Sequence, residues 1–190
     1  MGKYIYLLIG ESGSGKTTIA DRLSSDLGLK QLWSYTTRKP RYDGERGHIF
    51  VDELDPRAKC VAYTKFDGNH YWATQQQIEE NDVYVVDPDG LLYFMLRYDG
   101  EKIPVVFFID TTTHTRRKRL RKRGDSRAQI RQRIRHDKIA FKTFRESFRV
   151  STDRPYLAVD VDNNDGDEGY EKLADFIRWL DEEGNVEDLV

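Results

Sequence analysis

Apolar positions along the chain fall into two alternating patterns. Continuous runs at 3–9 (KYIYLLI), Asp82–Asp87 (DVYVVD) and Ile103–Asp110 (IPVVFFID) are rich in β-branched and aromatic residues. Unbroken runs of this kind predict strands buried on both faces, as in a parallel sheet covered by helices. Tyr156–Val161 is predicted as a further strand. Between the runs the spacing changes to that of helices. Ile19, Ala20, Leu23 and Leu27 share one face of a helix over Thr17–Leu27, stopped by Gly28. Thr115–Arg123 reads as a second helix, broken by Gly124. Ser126 with Gln129 three residues on predicts a capping box, opening a third helix with the stripe Ile130, Ile134, Phe141, Phe144 and Phe148. Leu173, Phe176, Ile177 and Leu180 mark a last helix over Tyr170–Leu180. Alternating strands and helices predict one α/β domain: a parallel sheet core with helices on both faces, interrupted from Ser34 to about Thr74 by a β-rich insertion. Right-handed crossovers then leave the carboxyl ends of the strands along one edge, where ligands bind.

Length and composition fit that picture. At 190 residues one domain is expected, and 38% hydrophobic residues supply a core, while 34% charged residues require an ionic surface or a wide charged cleft. No apolar run approaches the roughly 18 residues that span a bilayer. The opening MGKYIYLLIG reads as neither a signal peptide nor an anchor. Cys60 is the only cysteine, which excludes an internal disulfide and fits a reducing cytoplasm. The net charge of −2 hides an asymmetry: 15 Lys/Arg against 3 Asp/Glu between His114 and Arg149, then 3 against 13 from Val150 onward. Such blocks suit a nucleic-acid patch or an enzyme that clamps polyanionic small molecules, and composition does not choose between them.

Two stretches point to anions. GESGSGKT, Gly10–Thr17, matches G-x-x-x-x-G-K-[ST] between a predicted strand and a predicted helix. Glycines let successive backbone N–H groups close on phosphate oxygens, and the helix adds its positive end. Lys16 is expected to reach the β and γ phosphates and the Thr17 hydroxyl to ligate Mg²⁺. In SYTTRKPRYDGERG, Ser34–Gly47, four cations (Arg38, Lys39, Arg41 and Arg46) crowd an irregular loop. They should repel one another unless a second anion sits among them.

The phosphate loop followed by S-x-T-T-R-x-P-R-x-x-G-E (Ser34, Thr36, Thr37, Arg38, Pro40, Arg41, Gly44, Glu45) resembles the guanylate kinases. GNHYW (68–72), VVDPDG (85–90), RLRKRG (119–124) with IRQRI (130–134), and DNND (162–165) match further motifs of that family in order. The resemblance implies a P-loop core (1–33, 75–114 and 150–190), a small monophosphate-binding lobe (34–74) and a helical lid (115–149). It implies an enzyme moving the γ-phosphoryl of ATP, with Mg²⁺, onto a nucleoside monophosphate. On it, ATP lies against Gly10, Gly13, Ser14, Gly15, Lys16, Thr17, Thr18 and Asn164. The acceptor lies among Ser34, Arg38, Arg41, His48, Tyr71, Thr74 and Asp87, and its phosphate is the second anion. Lys16, Arg38, Arg123 and Arg133 would carry catalysis, with Arg119 as a neighbour. The acceptor oxygen is already anionic, so no general base is assigned.

The chain departs from the family in the acceptor pocket. His48 stands where the family has a tyrosine on the acceptor phosphate, and a histidine can donate the same bond with a strength that varies with pH. The family's guanine-reading glutamate falls on Ala62, whose methyl accepts nothing. Trp72 and Ala73 replace a glycine and a hydroxyl residue, with Thr74 one place late; Trp72 either stacks on a base or packs. A GMP- or dGMP-like acceptor, another base or a deoxynucleotide, and a noncatalytic guanylate-kinase-like module that binds a protein all stay open. The intact Lys16 and Thr17 speak against the last. A nucleic-acid-binding ATPase is disfavoured because the basic helices lack interleaved aromatics.

Overall fold

The first apolar run forms β1 (Tyr4–Ile9), in which every residue is buried. The structure, a computed structural model, describes residues 2–55, 57–150, 157–164 and 167–182, without the side chains of 143 and 145–150. Tyr156, Asp165 and the Phe148 side chain therefore lie outside the described residues. After β1 come α1 (Lys16–Leu27), β2 (Gln31–Leu32), β3 (Ser34–Thr36), β4 (His48–Phe50), β5 (Cys60–Phe66), β6 (Asn69–Thr74) and α2 (Gln75–Glu80). The chain continues through β7 (Val83–Val85), α3 (Pro88–Arg97), β8 (Ile103–Asp110), α4 (Thr113–Lys122), α5 (Arg127–Val150), β9 (Leu157–Asp162) and α6 (Glu168–Glu182).

The order β2-β7-β1-β8-β9 makes a five-stranded sheet, and all its pairs are parallel. Strand alternation divides β1 between two cores. Tyr4, Tyr6 and Leu8 pack with Ile19 and Leu23 of α1 and Leu173 and Ile177 of α6. Ile5, Leu7 and Ile9 pack on the other side with Leu91 and Phe94 of α3 and Phe141 and Phe144 of α5. Each buried aliphatic or aromatic side chain contributes about 1.5–3 kcal/mol relative to exposure. The expected strand–helix alternation is thus realised, with helices on both faces. Gly28 ends α1 in the left-handed region, at φ 69°. The expected capping box opens α5: the Ser126 N–H donates to Gln129 Oε1 (2.8 Å) and the Gln129 N–H to Ser126 Oγ (3.3 Å).

The insertion folds as a second sheet, β4-β3-β6-β5. Its register sets Ser34 opposite His48 and Thr36 opposite Tyr71. Trp72 is buried and stacks on Tyr35, ring centroids 5.5 Å apart, so it packs within this sheet. Two short helices were not legible in the apolar pattern. The run at Asp82–Asp87 gives only a three-residue strand before Asp87 caps α3, with Pro88 in the first turn. Thr74 caps α2 in a full capping box, accepting from the Gln77 N–H while Gln77 Oε1 accepts from the Thr74 N–H. Thr74→Ala is therefore expected to lower stability by about 1 kcal/mol. Urea unfolding measures this, and Thr74→Ser should restore most of the loss.

Candidate functional site

The carboxyl ends of β1, β7, β8 and β9 lie side by side, since Leu8 pairs with Val85, Ile9 with Phe108 and Asp110 with Asp162. The loop after β1 is shaped by glycines. Gly13 (φ 80°) and Gly15 (φ 103°) occupy the left-handed region, and a Cβ on Gly13 would meet the Arg116 carbonyl oxygen at 3.0 Å. The Ser14 carbonyl oxygen is tied down by Asn163 Nδ2 (2.6 Å), Arg119 Nη1 (2.9 Å) and Thr111 Oγ1 (3.2 Å). Gly15 caps α1 without any side-chain bond, which leaves the first-turn N–H groups of α1 facing outward beside exposed Thr17 and Thr18.

Lys16 arches back over this loop, its Nζ donating to the carbonyl oxygens of Gly10 (2.6 Å) and Glu11 (3.2 Å). Burial of the ammonium pushes its pKa down to about 8; Asp137 and Asp87 oppose the shift, while Arg116 and Arg123 add to it. The charged form is thus present below about pH 8 and lost above it. ATP affinity of the free protein is expected to hold from pH 6 to about 7.5 and then fall through about pH 8, read by calorimetry. Lys16→Arg should flatten the profile, because a guanidinium stays charged there.

Asn163 and Arg119 meet the loop directly, while Asn164 bonds elsewhere. Asn164 turns away, accepting from the Thr112 N–H (2.9 Å) and donating to Asp162 (2.7 Å); the buried Asn163 is the residue that meets the loop. Arg119, only a neighbour of the site on sequence grounds, joins the Ser14 and Asn163 carbonyl oxygens (2.9 and 2.7 Å).

The second basic cluster is built on Arg38. Its guanidinium forks onto Glu45 (2.9 and 3.1 Å), and Arg41 reaches the same carboxylate through its main-chain N–H (2.7 Å) and Nη1 (3.3 Å). Burial alone would lower Arg38, yet the bond to and charge of Glu45, together with Tyr71, outweigh it and hold the guanidinium above its ordinary value. Glu45 in turn is held low: burial raises it, but the Arg38 and Arg41 bonds prevail. Arg38 Nε is buried and has no hydrogen-bond partner among the described residues, which leaves a donor for an anion. Beside it, Ser34 Oγ and His48 Nδ1 are 2.9 Å apart, and the Tyr71 ring meets His48 edge-on at 5.6 Å. Burial and the nearby Arg38 charge push His48 below its usual range, which favours the neutral ring. The expected pH sensitivity near neutrality is therefore displaced toward acid.

Toward the base side, Ala62 and Ala73 are fully buried and pair across β5 and β6. Asp87 accepts from the Gly90 N–H (2.8 Å). Crowding by protein pushes its carboxyl up, the Gly90 bond partly opposing, while the residue keeps an exposed edge. Thr74 is half-buried, its hydroxyl accepting from the Gln77 N–H as the cap of α2.

On α4 and α5, Arg123 pairs with Asp125 at 2.6 Å and Arg133 approaches the same carboxylate at 3.9 Å. Burial holds Arg133 below its ordinary value; Asp125 opposes this, and the positive charges of Arg123 and Arg41 add to it. The charge of Arg41 thus reaches Arg133 on α5. For a metal, the Thr17 hydroxyl is exposed on the first turn of α1. Among the described residues no cluster of three or more His, Cys, Asp or Glu side chains gathers as a cage. A single hydroxyl suits Mg²⁺, which takes most of its ligands from phosphates and water.

A parallel sheet with a phosphate loop after its first strand, set beside a separate two-arginine site, defines a P-loop α/β nucleotide-binding protein. The chain belongs to the AAA domain family, whose profile matches residues 7–140. The resemblance to guanylate kinases read from the motifs is borne out by named relatives. The guanylate kinase of Nitrosomonas europaea is 28% identical over 140 residues, spanning 66% of this chain and 69% of that one. The guanylate kinase of Fusobacterium nucleatum is 26% identical over 144 residues, spanning 70% and 78%. The crystal structure of guanylate kinase from Anaplasma phagocytophilum shares the fold with a TM-score of 0.55 at 17% identity, over 96% of this chain and 88% of that one. No helix among the described residues is long and apolar enough to cross a membrane.

Proposed function

We propose that the protein is a nucleoside monophosphate kinase that transfers the γ-phosphoryl of ATP to the phosphate of a second nucleotide. The observation that carries this reading is the basic cluster around Glu45: Arg38 and Arg41 converge on its carboxylate, and a buried donor, Arg38 Nε, is left over for a further anion. A phosphate loop alone serves many ATP users, but paired guanidiniums at a separate point suit a second phosphate.

In this reading residues 34–74 hold the acceptor and α4–α5 form the lid. Arg38, Arg41, Ser34, His48 and Tyr71 orient the acceptor phosphate. Lys16 and the loop amides bind the donor phosphates, with Arg119 bracing the loop. Arg123 and Arg133 face the transferring group and offset charge along a loose transition state. Mg²⁺ on Thr17 would neutralise donor phosphate charge. No side chain needs to take a proton, because the attacking oxygen is already anionic. Closure of the acceptor lobe, residues 34–74, against the core limits hydrolysis by water.

The relatives' name, guanylate kinase, supports a GMP- or dGMP-like acceptor. The buried Ala62–Ala73 pair favours a second reading, the same chemistry on another base. A site built to pair a polar base edge discriminates by about 10⁴-fold, and two methyl groups offer it no partner. ADP formation from Mg-ATP over a panel of ribo- and deoxynucleoside monophosphates tests both. Turnover with at least one acceptor, above the rate with ATP alone, is expected. Identical rates with and without every acceptor would remove the kinase reading.

A further inference from the structure

Arg116 lies on α4 and its side chain is 1% exposed, yet phosphoryl transfer gives it no task. Enclosing a guanidinium this far is costly unless carboxylates compensate it. Two lie within ion-pair reach, Glu11 of the phosphate loop, 2.8 Å from Nη1, and Asp137 of α5, at 3.6 Å, while neither Nη1 nor Nε makes a hydrogen bond among the described residues. Asp137 also grips the loop directly. Its Oδ2 accepts from the Ser12 main-chain N–H (2.8 Å) and its Oδ1 from the Ser12 hydroxyl (3.1 Å). Asp137 is itself buried, on the apolar stripe of α5 between Ile134 and Phe141. The trio thus joins three elements: the phosphate loop, α4, which carries Arg119, and α5, which carries Arg133.

We propose that Glu11, Arg116 and Asp137 form a clasp in which Asp137 is a positioning residue for the ATP loop. Asp137 fixes the Ser12 end of the loop. Arg116 braces Asp137 against Glu11, so the arginine-bearing helices and the loop move as one body. Two carboxylates beside a triphosphate site would repel the nucleotide, and the enclosed guanidinium neutralises one of them. The coupling to transferred arginines rests on the kinase reading; the effect on the loop does not.

The test uses the full chain. Asp137→Ala should speed hydrogen exchange of the Ser12 amide at least tenfold and weaken ATP binding by calorimetry about 10- to 100-fold, in keeping with the loss of a charge-assisted bond. The KM for the acceptor should be unchanged. Asp137→Asn, which keeps one acceptor for Ser12, should fall between. Should Arg116→Met fail to fold, the combined change Glu11→Gln, Arg116→Met and Asp137→Asn removes all three charges without stranding one, and should still show a loosened Ser12 amide. An Asp137→Ala protein with wild-type Ser12 exchange and ATP affinity overturns the clasp, whether or not its melting temperature falls. Exchange and ATP binding need no acceptor, so both measurements decide for or against the clasp even in a chain that phosphorylates nothing.

Discussion

Lys16→Ala is expected to lower kcat/KM for phosphoryl transfer by about 10²–10³-fold, the range for removing one preorganised donor from developing charge. The effect should divide between donor and acceptor unequally. The Lys16 ammonium arches over the carbonyls of Gly10 and Glu11, inside the loop that would hold the donor phosphates. The KM for ATP and kcat should both suffer, and the KM for the acceptor should not. Lys16→Arg keeps the charge, yet a planar fork cannot occupy the space of an ammonium bonded 2.6 Å from the Gly10 carbonyl oxygen, so most of the loss should remain. Initial rates with each substrate varied in turn separate these effects.

Arg38→Ala should act on the other substrate. Removing it discards a bidentate, charge-assisted contact, for which about 10²-fold in the acceptor KM is the expected order. It also strips Glu45, whose side chain is only 5% exposed, of its main partner and leaves Arg41 to hold it. Some loss of stability should therefore accompany the change in KM. Arg38→Lys restores a charge without the fork and should recover part of the stability and little of the affinity. ATP binding measured without acceptor should be the same in all three proteins.

Much of this site was legible in the sequence because its chemistry is local. A glycine-rich turn between a strand and a helix needs only a few consecutive residues to be recognised, and Gly13 and Gly15 do adopt the left-handed conformations it requires. The capping box at Ser126 and Gln129 is equally local and formed as expected. What escaped depends on tertiary packing. Asp137 stands seven residues after Ile130 and four before Phe141, and Arg116 four before the buried Leu120, so both polar side chains occupy core positions of their helices. A charge at a core position was the available signal. Its partner cannot be read from one helix, since Ser12 and Asp137 are 125 residues apart. Asn163 and Asn164 show the same limit in miniature. Neighbouring asparagines after β9 face opposite ways, and only the fold decides which one reaches Ser14. The helix α2 escaped because six residues give too little periodicity, and α3 because its continuous apolar run Leu91–Leu96 reads like the strands beside it.

The proposed kinase requires two phosphate sites that face each other across one cleft. Binding of a dinucleoside polyphosphate spanning both, measured by calorimetry on wild type, Lys16→Ala and Arg38→Ala, tests this most directly. The expected result is wild-type affinity well above that for either nucleotide alone, with each substitution abolishing that advantage. Undiminished binding by Arg38→Ala, at the wild-type advantage, would contradict it.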